Sequence, residues 1–178
     1  GGIAGCSTAY HLAKNGWDTV LIERDVLTSG TTWHAAGMVT QLGTTPQITK
    51  IRKSSVKFYK DLKDITGQDT SFRHTGTINI ATTKSRYQEY LRQLTTSKLL
   101  NLDIEIINKK KFKDLYPIAK NKDIFGGLYI PQDGQADPEI LTKVIAVAAK
   151  KEGVKIFEKC KLQKILKREN QIRGVKTN

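Results

Sequence analysis

Apolar positions change rhythm several times along the chain, and each change marks an element. After a glycine-rich start, Ala9, Leu12 and Ala13 fall at helical spacing, and Asn15-Gly16 stops that helix. Residues 18–23 then read as a buried parallel strand, because Val20, Leu21 and Ile22 run without a polar break into Glu23. Over residues 45–66 the apolar positions Ile48, Ile51, Val56, Leu62 and Ile65 recur at roughly helical intervals, which predicts one long helix ending at Gly67. Residues 72–82 read as a strand, 85–100 as a helix, 103–107 as a strand, 111–116 as a short helix halted by Pro117, and 126–131 as a strand. Asp137-Pro138 is a strong helix start: the aspartate caps orphan amides, proline fits the first turn, and Glu139 complements the dipole. That helix runs to residue 152 and stops at Gly153. A strand over 154–158 follows, then a hairpin of 162–166 and 172–177 about the polar turn Arg168-Glu169-Asn170.

Helices and strands alternate in this reading, so the expected class is α/β. With 178 residues, 38% of them hydrophobic, the chain can bury one core. A mean hydropathy of -0.42 fits a globular protein, and no apolar run approaches the roughly twenty residues of a membrane span. The net charge of +13 raises nucleic acid, an anionic membrane or an acidic substrate as partners. The lysines are spread from Lys14 to Lys176, however, with no aromatic-interleaved basic stripe, so no nucleic-acid partner is expected. The densest cluster, Lys109-Lys110-Lys111-Phe112-Lys113, opens a solvated helix. Cys6 and Cys160 lack C-x-x-C or metal spacing and read as small buried hydrophobes in a reducing compartment.

The glycines gain meaning from the elements around them. Gly2 and Gly5, flanking Ile3 and Ala4, take the second and third places of G-x-G-x-x-G, and a helix follows. Such a turn lets backbone approach a pyrophosphate while the helix points its amide-rich end at the anion. Glu23 lies about twenty residues further on, the separation of one strand-turn-helix-strand unit, where an acid accepts ribose hydroxyls. The first glycine and its strand are expected to precede residue 1, so the chain reads as a fragment of a longer protein. Between Val26 and Met38 small residues and hydroxyls dominate: Gly30, Ala35, Ala36 and Gly37 let backbone lie against a flat ligand, and Thr31 and Thr32 supply donors. On chemistry alone, His34 is more often a hydrogen-bonded structural histidine than a ligand or catalyst. An NAD-linked dehydrogenase would share the glycines and Glu23 but has no use for Thr31-Thr32-Trp33-His34.

The clipped glycine motif, the Glu23-Arg24 pair, the string from Ser29 to Gly37, and Asp133-Gly134-Gln135-Ala136-Asp137-Pro138 together resemble the FAD-dependent amine dehydrogenases of the D-amino-acid-oxidase superfamily. Sarcosine and dimethylglycine dehydrogenases are the nearest members. The resemblance runs from Gly1 to nearly Asn178, and its most specific string is Gly30-Thr31-Thr32-Trp33-His34-Ala35-Ala36-Gly37. It implies a Rossmann-like FAD-binding domain interleaved with an α+β substrate-binding lobe, both incomplete. Residues 1–66 and 136–178 would form the two parts of the former and 67–135 the first part of the latter.

The resemblance also assigns roles. His34 would carry FAD covalently through the flavin's ring methyl. Contacts to the cofactor would come from Gly2, Ile3, Ala4, Gly5, Glu23, Arg24, Gly30, Thr31, Thr32, Trp33, Ala35, Ala36, Gly37 and Met38, with the backbone of Leu162 near the adenine. The implied activity is oxidation of the N-methyl C–N bond of a small secondary or tertiary amino acid to an imine, with an electron-transfer flavoprotein or oxygen as acceptor. Family members continue into a folate-binding C-terminal region, which makes tetrahydrofolate a further ligand of the whole protein. No catalytic residue is assigned: Arg52, Arg73 and His74 suit a substrate carboxylate, but surface roles are favoured for each. The rival readings are another amino-acid oxidase or dehydrogenase of the superfamily, or a non-catalytic regulatory subunit of the same fold, as in phosphatase-regulatory relatives that lack the histidine. A bacterial protein of this kind is expected in the cytoplasm, a eukaryotic one in the mitochondrial matrix.

Overall fold

The computed structural model describes residues 1–178, and in chain order its elements are α1 (Ile3–Lys14), β1 (Val20–Ile22), β2 (Met38–Val39), α2 (Pro46–Thr66), β3 (Thr77–Ala81), α3 (Lys84–Leu99), β4 (Glu105–Ile107), α4 (Lys109–Leu115), β5 (Gly126–Ile130), β6 (Gly134–Gln135), α5 (Pro138–Lys151), β7 (Lys155–Phe157), β8 (Leu162–Arg168) and β9 (Gln171–Thr177). They group into two units. The first comprises Gly1–Gly37, Tyr59–Phe72 and Ala136–Asn178, and the second Met38–Phe58 and Arg73–Gln135.

In the first unit β1 pairs in parallel with β7, matching Val20 to Lys155, Leu21 to Ile156 and Ile22 to Phe157. A parallel pair needs a crossover, and helices supply it. α1 packs against α5. Cys6, Ala9 and Tyr10 are buried on α1, and Leu141, Val144, Ile145, Ala148 and Ala149 on α5. The start of α5 follows from its sequence: the Asp137 carboxylate accepts from the Glu139 and Ile140 amides at 2.8 and 3.0 Å, and Pro138 opens the first turn. The Lys151 ammonium, in the last turn, donates to the carbonyls of Ile65 (2.8 Å) and Thr66 (3.3 Å). β8 and β9 form an antiparallel hairpin whose two loop residues, Glu169 and Asn170, both take positive φ (50° and 60°), the handedness that suits strand twist.

The second unit is built on the antiparallel sheet β3-β5-β4. Alternation divides its side chains between two faces. One face joins Ala81, Leu128 and Ile130 to Tyr90, Leu102 and Ile104 in a buried cluster. A second cluster joins Ile107, Phe112 and Ile124, with Ile78 and Tyr129 packed against it. Thr83 caps α3 through the Arg86 amide (3.2 Å), and Asn108 caps α4 through the Lys111 amide (2.9 Å). Apart from this sheet, β2 pairs with β6.

Three boundaries differ from the sequence expectation. The strand read over 72–82 is confined to Thr77–Ala81, because Gly76 takes φ +70° and gives its amide to the Asp133 carbonyl (2.9 Å). Only an isolated bridge, Arg73 to Gln135, precedes it. The helix read over 111–116 starts earlier, at Lys109, since Asn108 is its cap. Residues 38–58 group with the second unit rather than with 1–37, held there by β2–β6 pairing and by the Lys53 ammonium donating to the Leu100 and Asn101 carbonyls at 2.6 and 2.7 Å.

Candidate functional site

The glycine turn and the segment after β1 are laced together at the N-terminus of α1. Gly2 is the helix N-cap, with extended backbone (φ -86°, ψ -177°) and no side chain to cap the amides. The missing cap is replaced from a distance: Thr32 Oγ1 accepts the Ile3 amide at 3.1 Å. A Cβ on Gly2 would lie 2.8 Å from that oxygen, so the approach requires glycine. Thr32 is buried and opens a 3-10 turn, Thr32–His34. Thr28 makes the second link, its amide donating to the Gly1 carbonyl at 3.0 Å. Thr28 is itself unusual, a buried β-branched residue at φ 72°. Such a conformation costs of order 1–3 kcal/mol, persists only where surroundings impose it, and clusters at ligand-holding segments.

Glu23 follows the last residue of β1, whose ladder it extends by donating its amide to the Phe157 carbonyl at 2.8 Å. Its carboxylate turns back to the glycines, with Oε2 2.6 Å from the Gly1 nitrogen, and accepts the Asp25 amide at 2.9 Å. An acid in this place accepts ribose hydroxyls. Cys6, one turn into α1, is fully buried, and burial raises its thiol above the ordinary value, which makes it a packing residue rather than a nucleophile.

The 3-10 turn presents Trp33 and His34 together. Their ring centroids are 3.8 Å apart with 33° between planes, and both side chains are exposed. Gly30, Thr31, Ala35 and Ala36 are exposed as well. The loop ends at Gly37, where φ is +75° and the carbonyl accepts the Ala136 amide at 2.9 Å.

Gly2, Ile3, Glu23 and Thr32 are therefore gathered about one helix end, with Trp33 and His34 on the turn that Thr32 begins. Arg24 is exposed beside Glu23. Leu162 lies elsewhere in the same unit, at the start of β8 opposite Thr177. Met38 belongs to the second unit, paired with Gln135. Of the residues considered for a substrate carboxylate, the Arg52 guanidinium donates to the Leu42 carbonyl (2.6 Å) and Thr40 hydroxyl (3.3 Å), the Arg73 backbone pairs with that of Gln135, and His74 Nδ1 lies 2.9 Å from the Gln132 carbonyl.

One polar centre of the second unit escaped the sequence reading. Asp133 is fully buried, and its carboxylate accepts the Gln41 amide at 2.8 Å and the Thr77 hydroxyl at 2.5 Å. Burial raises its pKa above the ordinary carboxylate value, and the bonds from Thr77 and Gln41 act against that rise. The available signal was Asp133-Gly134 at the head of a string already singled out, but loop aspartates read as solvated.

Comparison with known proteins agrees with this geometry. The sequence profile of the family described as FAD dependent oxidoreductase matches residues 1–178. The chain belongs to this family. It is 42% identical to rat mitochondrial dimethylglycine dehydrogenase over 155 residues, covering 86% of this chain and 18% of that protein. It is 36% identical to 4-methylaminobutanoate oxidase (formaldehyde-forming) of Paenarthrobacter nicotinovorans, covering all of this chain and 22% of that protein. Its fold superposes on the crystal structure of L-proline dehydrogenase from P. horikoshii with a TM-score of 0.93 at 28% identity, covering all of this chain and 47% of that one. The chain thus spans about a fifth of the length of these two curated relatives. A mixed α/β fold and membership of the FAD dependent oxidoreductase family are accordingly established, and no helix is long and apolar enough to cross a membrane.

Proposed function

We propose that the protein is an FAD-dependent amine dehydrogenase or oxidase that oxidises the N-methyl C–N bond of a small amino acid, such as sarcosine or dimethylglycine, to an imine. The observation that carries this is the seating of the Thr31-Thr32-Trp33-His34 turn on the end of α1, where Thr32 reaches the Ile3 amide and His34 follows two residues later, exposed. The names of the two relatives above share a methylated-amine class of substrate.

The residues fit the cofactor. Gly2 brings no side-chain cap to the Ala4 and Gly5 amides, and the Glu23 carboxylate lies against the same turn. Ala4 and Gly5 would hold the pyrophosphate by their amides, and Glu23 the ribose hydroxyls. Bound FAD supplies the two-electron acceptor. His34 would anchor the ring covalently, and the stacked Trp33 fixes the imidazole plane for that bond. Arg24 and the backbone of Leu162 would flank the adenine, and Met38 the ring. The first unit is then the cofactor-binding part and the second the start of the substrate lobe. The substrate's N-methyl carbon loses a hydride equivalent to give the imine, which water hydrolyses to formaldehyde or tetrahydrofolate captures as a one-carbon unit. The electrons leave to an electron-transfer flavoprotein or to oxygen.

The test is chemical. The holoprotein is denatured and stripped of loose flavin, and the peptide spanning residues 29 to 38 is weighed. A flavin-bearing mass on His34, together with bleaching of the holoprotein by sarcosine or dimethylglycine, is expected. An unmodified peptide sinks the linkage, and a flavin that neither amine bleaches sinks the substrate class.

A further inference from the structure

Lysines are scattered over most of the chain, but residues 109–125 concentrate six of them, at 109, 110, 111, 113, 120 and 122, against Asp114 and Asp123. α4 and the loop after it form one braced segment of the second unit. Phe112 from the helix and Ile124 from the loop share a buried cluster with Ile107, and the Lys109 ammonium donates to the Lys122 carbonyl at 3.0 Å. Every residue from Lys113 to Ile118 is exposed. There the chain turns: the Ala119 amide donates to the Tyr116 carbonyl at 3.2 Å, which puts Pro117 and Ile118 at the corner. Glycine, proline and short polar residues dominate such corners, yet this one carries an isoleucine that is 81% exposed. The apolar surface continues beyond it, since Leu115, Tyr116 and Ile80 are exposed too and wall a cleft of about 290 Å³ with Ile78, Phe112 and Tyr129. Cations lie beside the corner. The Lys113 ammonium donates to the Pro117 and Ala119 carbonyls, the latter at 3.1 Å, and Lys120 follows the turn. Bonds to carbonyls leave the charge of an ammonium uncancelled, and Lys111 approaches a carboxylate, Glu105, only at 3.9 Å. Lys110 stands two residues from the buried Phe112, which on a helix is the opposite side.

We infer that the Tyr116–Ala119 turn and the lysines around it form a contact surface for an anionic phospholipid bilayer, with Ile118 and Tyr116 entering the interface and the ammonium groups held among the headgroups. An exposed apolar patch rimmed by charge marks a contact surface, and here the charge has one prevailing sign. The side chains suit the two levels of a bilayer edge: a tyrosine ring settles at headgroup depth, and a lysine keeps its ammonium in water above a buried stem. Acidic headgroups complement the lysines. A fluid surface closes around an isoleucine at the corner of a turn, whereas an acidic protein would need a hollow shaped to receive it.

The holoprotein is co-sedimented with vesicles of phosphatidylcholine alone and of phosphatidylcholine mixed with phosphatidylserine. It should bind the anionic vesicles, more weakly as salt is raised, and leave the neutral ones in suspension. Lys110→Gln/Lys120→Gln should weaken the binding roughly 25-fold, since each lysine near an anionic surface contributes about fivefold. Ile118→Asn should weaken it about tenfold through the lost apolar contact. All three side chains are exposed, so Tm should stay level. Lys164→Gln/Lys176→Gln, on the exposed β8–β9 hairpin of the first unit, removes the same charge and should bind as the native protein does. An equal loss in that control would mean adhesion by net charge, and native-like binding by Ile118→Asn would mean that nothing enters the bilayer. Either result overturns the assignment, as does a native holoprotein that ignores anionic vesicles. Capture of soluble polyglutamate through Lys110 and Lys120, with no binding to vesicles, would give the surface to an acidic protein instead.

Discussion

Gly37→Ala should damage the protein far more than an exposed-loop glycine substitution ordinarily does. Gly37 has φ +75°, and a Cβ built there would lie 2.2 Å from the Ala136 carbonyl oxygen, a backbone atom that cannot swing aside. The left-handed conformation alone costs an alanine roughly 1–2 kcal/mol. Relieving the overlap breaks the Ala136 to Gly37 hydrogen bond of 2.9 Å, worth about 1 kcal/mol, and leaves both groups poorly paired. The total is about 3 kcal/mol, and at roughly 2–4 °C per kcal/mol for a chain of this size Tm should fall by about 6–12 °C. Two glycines serve as internal standards. Gly16 has φ +84° but no atom within 4 Å, so Gly16→Ala carries only the conformational cost. Gly30 has no atom within 4 Å and no left-handed φ, and Gly30→Ala should be silent within about 0.5 kcal/mol. Thermal unfolding of the three variants by circular dichroism in one buffer gives the order. If Gly37→Ala melts no lower than Gly16→Ala, the contact with Ala136 is not rigid and the reasoning fails.

Two further outcomes are expected. Glu23→Ala should lower the fraction of protein that captures flavin during expression, read as the ratio of flavin to protein absorbance; an unaltered ratio would move the ribose contact to another residue. Burial raises the Asp133 pKa, so its contribution to stability is complete below about pH 4, the ordinary carboxylate value, and is lost as pH rises through the raised one. Asparagine carries no charge. The Tm of Asp133→Asn minus that of the native protein should therefore grow from pH 4 to pH 7, and a flat difference would show that folding does not raise the Asp133 pKa.

Local chemistry was the legible part of this fold. Asp137-Pro138 marks the start of α5 because capping involves residues two and three places apart, and the β8–β9 hairpin shows itself as two short apolar runs about a polar turn. Distance hid the rest. β1 and β7 can each be read as strands, but their pairing is a property of the crossover and not of either segment. β2 and β6 have two residues each, too few to show a period. Thr28 defeats propensity outright, since a β-branched residue is a poor choice for φ 72°, yet here it is buried with its amide bonded to Gly1. In the candidate site, the glycines and Glu23 were readable as a spaced motif. Asp133 and Gln41 were not, because two polar loop residues look solvated until three remote segments close over them.

The pairing of β1 with β7 also fixes a timetable. About 130 residues separate the two strands, and at 5–20 residues per second a ribosome needs roughly 6 to 26 s to make them. Through that interval Val20, Leu21 and Ile22 leave the tunnel before β7 exists, while the later β8–β9 hairpin can close within microseconds of its synthesis. The nascent chain therefore carries a sticky apolar strand for longer than most local folding takes. Faster synthesis, by shortening the wait for β7, would reduce the fraction lost to aggregation.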